Sequence, residues 1–268
     1  MSRELNPIYL RNRAAWDARA RDGKRHAVSV LRKDLQNPLP ILDPEGWLGS
    51  VRGSKALCLA SGGGLQSALL AAAGAEVTVA DVSSEMLNLD RKAALEHGLR
   101  ITCLEASMEA LPVGGESFDI VIQPVSTCYV PDILAVYREV RRVIRPNGIY
   151  ISQHKQPASL QSSVAPGRNG YEILEPYYRT GPLPQTVESL HRESDMAEFL
   201  HTWEQIAGGL CRSGFMIEDL VEPRQRTGPG ELGAFADRSR YLPPYVKIKA
   251  RAAPLLTKGG NSLWIADR

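Results

Sequence analysis

Between residues 55 and 153, short apolar runs alternate with stretches whose apolar positions recur every three or four residues. Segments 55–60, 76–81, 101–105, 118–123 and 149–153 are brief and apolar or β-branched, which predicts buried strands. Segment 65–73 is rich in Ala and Leu and stops at Gly74, which predicts a helix. A second helix is opened by Ser83 or Ser84, runs to about His97 and stops at Gly98. A third is opened by Asp132 and carries Ile133, Val136, Tyr137, Val140, Val143 and Ile144 on one face, a core-facing stripe. Pro146-Asn147-Gly148 predicts a turn before the fifth strand. Strands alternating with helices imply a parallel sheet covered on both faces, with right-handed crossovers. Ligands of such sheets bind at the carboxyl ends of the strands, near the point where strand order reverses.

The flanks differ. Residues 8–33 are expected to be helical, with Tyr9, Trp16 and Leu31 as anchors, and the Pro-rich NPLPILDPEGW that follows reads as a linker. Residues 155–193 hold many Pro, Gly, Ser and Tyr residues without a period. That is too long for an ordinary connection and predicts a functional cap. A helix carrying Met196, Phe199, Leu200, Trp203, Ile206, Ala207 and Leu210 is expected next, ended by Gly214. Strands are predicted at 215–221 and 245–250.

Composition narrows the class. Hydrophobic residues make up 43% and charged residues 23% of the 268, values of a globular chain. A net charge of +2 gives no field that would select nucleic acid or a membrane surface. The basic stretch from Arg3 to Arg25 is interrupted by Asp17 and Asp22 and reads as a solvated helix face. Cys58, Cys103, Cys128 and Cys211 have no metal-ligand spacing, and no metal site is expected. Cys58 and Cys103 sit in apolar runs, as buried thiols do, which suits a reducing compartment. The start, MSRELNPIYL, lacks the apolar core of a signal peptide, and no run approaches the roughly 18 apolar residues of a membrane span. The expectation is a cytoplasmic protein.

The sharpest chemical feature is LCLASGGGLQS at 57–67, a strand that ends at Ala60, three glycines, and a helix start. Glycines allow a ligand close to the backbone, and a helix N-terminus carries partial positive charge. Asp81 ends the next strand, nineteen residues after Gly62, where a carboxylate can accept both ribose hydroxyls. Together they indicate an adenosine-containing ligand without separating a nicotinamide dinucleotide from S-adenosylmethionine.

Further motifs make that distinction. EASMEALPVGGESFDIVI contains Leu111-Pro112 and Phe118-Asp119. RVIRPNGIYIS enters the fifth strand, CRSGFMIEDLVEP spans 211–223, and YLPPYVKIKAR leads into the last strand. In these features the sequence resembles the class I S-adenosylmethionine-dependent methyltransferases, in their type 11 branch, over roughly 55–155 and more loosely over 196–251. The resemblance implies a Rossmann-like, seven-stranded, mostly parallel sheet with helices on both faces and an antiparallel last strand. An N-terminal helical lid and an insert after the fifth strand would add to it. It divides the chain into a lid and linker (1–50), a cofactor-binding core (51–154), a substrate cap (155–193) and the C-terminal part of the core with a tail (194–268). By the same resemblance Ala60, Ser61, Gly62, Gly63 and Gly64 hold the methionine and ribose part of S-adenosylmethionine. Asp81 holds the ribose, Val82 and Met108 sandwich the adenine beside Ser107, and Gln123 lies near the methionine end. The chain departs from the family pattern at Cys58, where an acid is usual, at Ala60 in place of the first glycine, at Ser107 in place of an acid, and at Asn147-Gly148 in place of two glycines.

The implied activity is methyl transfer to a small-molecule metabolite, on oxygen, nitrogen or carbon, with S-adenosylhomocysteine as product. Ser126 and Tyr129, after the fourth strand, are expected on the substrate side, with Tyr9 and Trp16 folding over from the lid. Tyr177 and Tyr178 of the insert are expected to build apolar walls for a ring. His154, at the end of the fifth strand, is the candidate base. The altered glycine motif leaves open a non-catalytic S-adenosylmethionine-binding or scaffold protein. A nicotinamide-dependent oxidoreductase would explain only the glycine turn and Asp81. No nucleic-acid partner is expected.

Overall fold

The computed structural model describes residues 7–24, 30–224 and 231–254. The predicted basic residues Arg3 and Arg25 and most of the tail lie outside them. Helix α1, Pro7–Arg21, ends well before residue 33, and Gly23 turns the chain with a φ of 61°. Leu31, an expected anchor, is 55% exposed. The Pro-rich stretch is packed rather than a bare linker. It forms a 3-10 turn, Asp34–Gln36, and a short α2, Leu39–Leu42. Beyond it Trp47, Leu48 and Val51 join the core, and the Trp47 indole donates to Asp219 at 3.0 Å.

The alternating region follows as β1 (Lys55–Leu59), α3 (Leu65–Ala72), β2 (Glu76–Asp81), α4 (Ser84–His97), β3 (Ile101–Glu105) and β4 (Phe118–Gln123). A 3-10 turn, Thr127–Tyr129, leads to α5 (Ile133–Val143). The caps are local chemistry. Ser83 Oγ accepts the Met86 N–H at 3.0 Å, and Asp132 Oδ1 accepts the Leu134 N–H at 2.9 Å. Strand β5, Ile144–Lys155, is longer than its apolar run. The Pro146-Asn147-Gly148 turn is absorbed as an irregularity between the pairs Phe118–Ile144 and Ile120–Ile149. Asn147 takes a φ of 65° there, as Asn tolerates better than most residues.

After β5 come α6 (Pro157–Gln161) and a long irregular stretch. The helix expected from Met196 begins only near Trp203, as a π-helical turn, Glu204–Gly208, that runs into α7, Gly209–Arg212. Met196, Phe199 and Leu200 are buried in coil, so their helical spacing reflects burial and not helix. Strand β6 (Phe215–Val221), α8 (Phe235–Ser239) and β7 (Tyr245–Ala252) complete the fold.

The seven strands lie in the order β3-β2-β1-β4-β5-β7-β6. β1 to β5 pair in parallel, and β7 is antiparallel to both β5 and β6. Strand alternation sends Ala56 and Cys58 to one face, with Leu70, Val79 and Leu87. It sends Leu57 and Leu59 to the other, with Val121, Tyr137, Val140 and Leu210. Strand order reverses between β1 and β4, and a crevice opens at their carboxyl ends.

Candidate active site

A cavity of about 510 Å3 occupies that crevice. One half of its wall is Ala60, Ser61, Gly62 and Gly63 after β1, Asp81 and Val82 at the end of β2, and Ser107 and Met108 after β3. The other half is Tyr9, Asn12 and Trp16 from α1, Ser126 and Tyr129 after β4, Gln153 and Lys155 at the end of β5, and Glu193 from the irregular stretch.

The glycine loop is held by two carboxylates. Gly62 N–H donates to Asp81 Oδ2 at 2.9 Å, and Gly63 N–H donates to Asp90 Oδ2 at 2.9 Å. Asp81 Oδ1 takes the Ser83 N–H at 2.9 Å. Asp90 Oδ1 takes the Ser67 hydroxyl in a short bond. These amides therefore serve the loop itself, and the glycines matter for close approach. A Cβ on Gly62 would stand 2.7 Å from Met86 Cβ and 2.9 Å from Asp81 Oδ2. Gly64 lies behind the cavity as the N-cap of α3, with a φ of 86°. Ala60 occupies the same left-handed region, with a φ of 47°, where a glycine is at ease. Burial raises the Asp81 carboxyl above its ordinary range and pushes Asp90 up to about 6. The Ser61 hydroxyl is buried beside the Cys58 thiol without a hydrogen-bond partner of good geometry among the described residues. A loop position at Gly62 where a Cβ would clash, a buried carboxylate with lone pairs to spare, and a buried unpaired hydroxyl suit a nucleoside ligand bearing hydroxyl and amine groups.

Helix α1 roofs the cavity through polar ties at both ends. Asp17 accepts the Ser83 hydroxyl at 2.6 Å, and Arg13 meets Glu105 at 2.6 Å. Asn12 donates to the carbonyls of Tyr129 (3.0 Å) and Ala197 (3.1 Å) and accepts the Ala197 N–H at 2.8 Å. Arg19, 3% exposed, spans Glu188 at 2.6 Å and Asp195 at 2.7 Å. Trp16 packs edge-on against Tyr129, with ring centroids 5.6 Å apart.

Of the residues expected at the site, four lie elsewhere as well as Gly64. Gln123 stands behind the wall. Its amide donates to Ser126 Oγ at 2.9 Å and faces Met108 Sδ at 3.3 Å, so it braces two residues that do line the cavity. Its Oε1 takes the Tyr150 hydroxyl in a short bond. Tyr178 is 80% exposed, and Tyr177 stacks edge-on against it while its hydroxyl accepts the Trp203 N–H at 2.9 Å. Neither tyrosine borders the cavity. His154 does not reach it either. β-strand alternation turns its ring away from Gln153 and Lys155, into the protein. There Nδ1 lies 2.8 Å from Thr127 Oγ1 and Nε2 lies 2.8 Å from Ser152 Oγ. Burial, reinforced by nearby His201, lowers its pKa to about 3, so the ring is neutral and enclosed. The candidate base is thus corrected.

Four polar groups at or behind the wall were not anticipated: Asp90, Glu109, Lys155 and Glu193. Asp90 falls on the buried face of α4 with Met86, Leu87 and Ala93, and an acid on an apolar stripe is a readable signal. Lys155 closes β5 at the carboxyl edge, where a charge is also a signal. Glu193 lies in coil and has no local signature. Among the described residues no cluster of three or more His, Cys, Asp or Glu could hold a metal. No helix among them is long and apolar enough to cross a membrane.

Comparison with known proteins agrees with this architecture. The methyltransferase domain family matches residues 57–152. An uncharacterized methyltransferase, YbaJ of Bacillus subtilis, is 34% identical over 235 residues, covering 82% of this chain and 92% of its own. A ubiquinone biosynthesis O-methyltransferase of Haemophilus ducreyi is 32% identical, covering 70% of this chain and 79% of its own. Among solved structures, an S-adenosylmethionine-dependent methyltransferase from Mesorhizobium loti superposes with a TM-score of 0.63 at 24% identity, over 81% of this chain and 99% of that one. The magnesium protoporphyrin IX methyltransferase of Synechocystis, solved with bound S-adenosylhomocysteine, gives 0.59 at 18% identity, over 92% and 100%. With the strand order, the crevice at its reversal point and a relative alike over most of both chains, the chain belongs to the class I S-adenosylmethionine-dependent methyltransferases.

Proposed function

We propose that the protein methylates a small-molecule metabolite with an apolar or aromatic part, bound beneath α1 against Trp16 and Tyr129. The observation that carries this is the continuity of one cavity from the glycine loop and Asp81 to an aromatic half closed by α1. A relative named as a ubiquinone biosynthesis O-methyltransferase supports a small acceptor. In this reading Asp81 accepts the ribose hydroxyls, Val82 and Met108 flank the adenine, and Ser107 borders it. Ala60 to Gly63 let the cofactor approach the backbone, Gly64 sets the turn behind them, and Ser61 gains a partner for its hydroxyl. Gln123 acts from behind by fixing Met108 and Ser126. S-adenosylmethionine supplies an electrophilic methyl group on a sulfonium. The chain's own contribution is to align the acceptor, exclude water beneath α1 and receive any proton released. The division into lid, core and cap follows the same line, with α1 and the stretch after β5 setting acceptor choice.

Calorimetric titration with S-adenosylhomocysteine, and with NADH in parallel, tests the reading. Binding of the first alone is expected, followed by labelled methyl transfer into a metabolite extract. Binding of NADH instead, or of neither, overturns it.

A further inference from the structure

The far wall of the acceptor half holds four charges that an apolar ring would not need. Lys155, Glu193 and Glu198 are 6%, 7% and 0% exposed. Lys155 Nζ donates to Glu193 Oε2 at 2.7 Å and to Glu198 Oε1 in a short bond. Arg192 Nε donates to Glu198 Oε2 at 2.7 Å. The Tyr129 hydroxyl donates to Glu193 Oε2 at 3.0 Å, and Lys155 Nζ lies 5.8 Å from the Tyr129 ring centroid. Desolvating two cations and two carboxylates costs several kcal/mol per ion before pairing offsets it, so apolar packing would stabilise this wall at least as well. Glu198 is sealed from the cavity behind Lys155 and Glu193. Lys155 and Glu193 border the cavity, and each keeps bonding capacity. An ammonium has three protons, and two of Lys155's are used among the described residues. Glu193 Oε2 takes the bonds from Tyr129 and Lys155, the Glu198 carboxyl lies within hydrogen-bonding reach as well, and among the described residues no amide, hydroxyl or ammonium donates to Oε1.

We propose, resting on the methyltransferase reading above, that Lys155 and Glu193 form the acceptor anchor, and that they select a hydroxyl on an apolar ring system. The hydroxyl oxygen accepts the third Lys155 proton while its own proton faces Glu193 Oε1. In the reaction the acceptor O–H proton passes to Glu193. The oxygen forms the new O–CH3 bond as the sulfonium C–S bond breaks, with that electron pair staying on sulfur. Lys155 stabilises the negative charge that develops on oxygen. A protonated amine is disfavoured beside a fixed ammonium, and methylating a neutral amine would create a second cation there.

The groups that face Glu193 set its titration. Burial alone would raise its carboxyl, but Lys155 from β5, the Tyr129 hydroxyl from the turn after β4 and a hydrogen bond with the Glu198 carboxyl outweigh this and hold it low. Glu198 and Arg192, from its own segment, and the Cys128 thiol beside Lys155 complete the surroundings. Glu193 is therefore ionised at neutral pH and ready to accept a proton.

The test uses the full chain loaded with S-adenosylhomocysteine and calorimetry with 2-naphthol and 2-naphthylmethylamine, which share a ring and differ in the polar group. The wild type is expected to bind the naphthol at least tenfold more tightly. Glu193→Gln should lose at least fivefold in naphthol affinity with S-adenosylhomocysteine affinity unchanged. It should also lose the acid limb of the pH profile for labelled methyl transfer to 2-naphthol. Tyr129→Phe, which keeps the ring and removes one donor to Glu193, should move that limb to higher pH. No naphthol binding, equal or tighter amine binding, or wild-type behaviour in both variants overturns the anchor, whereas lost S-adenosylhomocysteine binding by the wild type overturns the methyltransferase reading instead.

Discussion

The two halves of the cavity are built by different physics. On the glycine-loop side, the wall residues Ala60 to Gly63, Asp81, Val82, Ser107 and Met108 sit at or just after strand ends, and their supports come from the next strand and helix: Asp81 of β2 and Asp90 of α4 hold the amides of Gly62 and Gly63. On the acceptor side, α1 and the coil around Glu193 have little regular hydrogen bonding between them. They are joined by side chains far apart in sequence, Asn12 with Ala197 and Arg19 with Glu188 and Asp195, while Lys155 of β5 ties Glu193 to the sheet. A backbone-defined half can be conserved in shape while its polar-tied partner changes. That is a physical reason for one fold to serve many acceptors.

The largest expected effect separates the halves at once. Asp81→Ala should weaken S-adenosylhomocysteine binding more than tenfold by calorimetry, because it removes the ribose acceptor and frees the Gly62 amide that positions the loop. Tenfold corresponds to about 1.4 kcal/mol. An unchanged affinity would remove Asp81 from the site.

Asn12→Ala should do the reverse. It strands the Ala197 N–H and two carbonyls, a local cost of about 1–3 kcal/mol. Amide exchange in α1 and around Ala197 should accelerate while β1 and β4 keep their protection. Equal acceleration in the core would mean the two halves unfold as one.

Asp90 offers a pH test of the glycine-loop half. Its carboxyl ordinarily titrates near 3.8 and is pushed up to about 6 here, chiefly by burial. Between those values the folded protein holds a proton that the unfolded chain has released, so stability falls as pH rises through that window. The cost is fully present above it. Asp90→Asn can still accept from Gly63 and donate to Ser67. Its Tm should show a flatter profile over that range. A profile parallel to wild type would exclude Asp90 as the titrating group.

Ala60→Gly should have the smallest effect. Relief of a left-handed alanine is partly offset by the greater freedom of glycine in the unfolded chain, leaving a gain of about 0.5 kcal/mol in denaturant unfolding. A loss would show that the Ala60 methyl group packs against the crevice wall.

The sequence alone determined the sheet and one half of the site. Strands at 76–81, 101–105, 118–123 and 215–221, and the caps at Ser83, Gly98 and Asp132, follow from local periodicity and capping chemistry. Strand ends in a parallel sheet converge on one edge, so Ala60, Gly62, Asp81 and Met108 could be brought together on paper. Of the other half, Tyr9, Trp16, Ser126 and Tyr129 are legible in the sequence and line the cavity, and only the tertiary structure decided the rest. His154, Tyr177 and Tyr178 lie near the expected region in sequence, but strand alternation buries the first and the path of the coil carries the others outside. Glu193 and Asn12 have no local signature. Their partners lie 38 and 185 residues away, and a coil fixed by such pairs has no period to read.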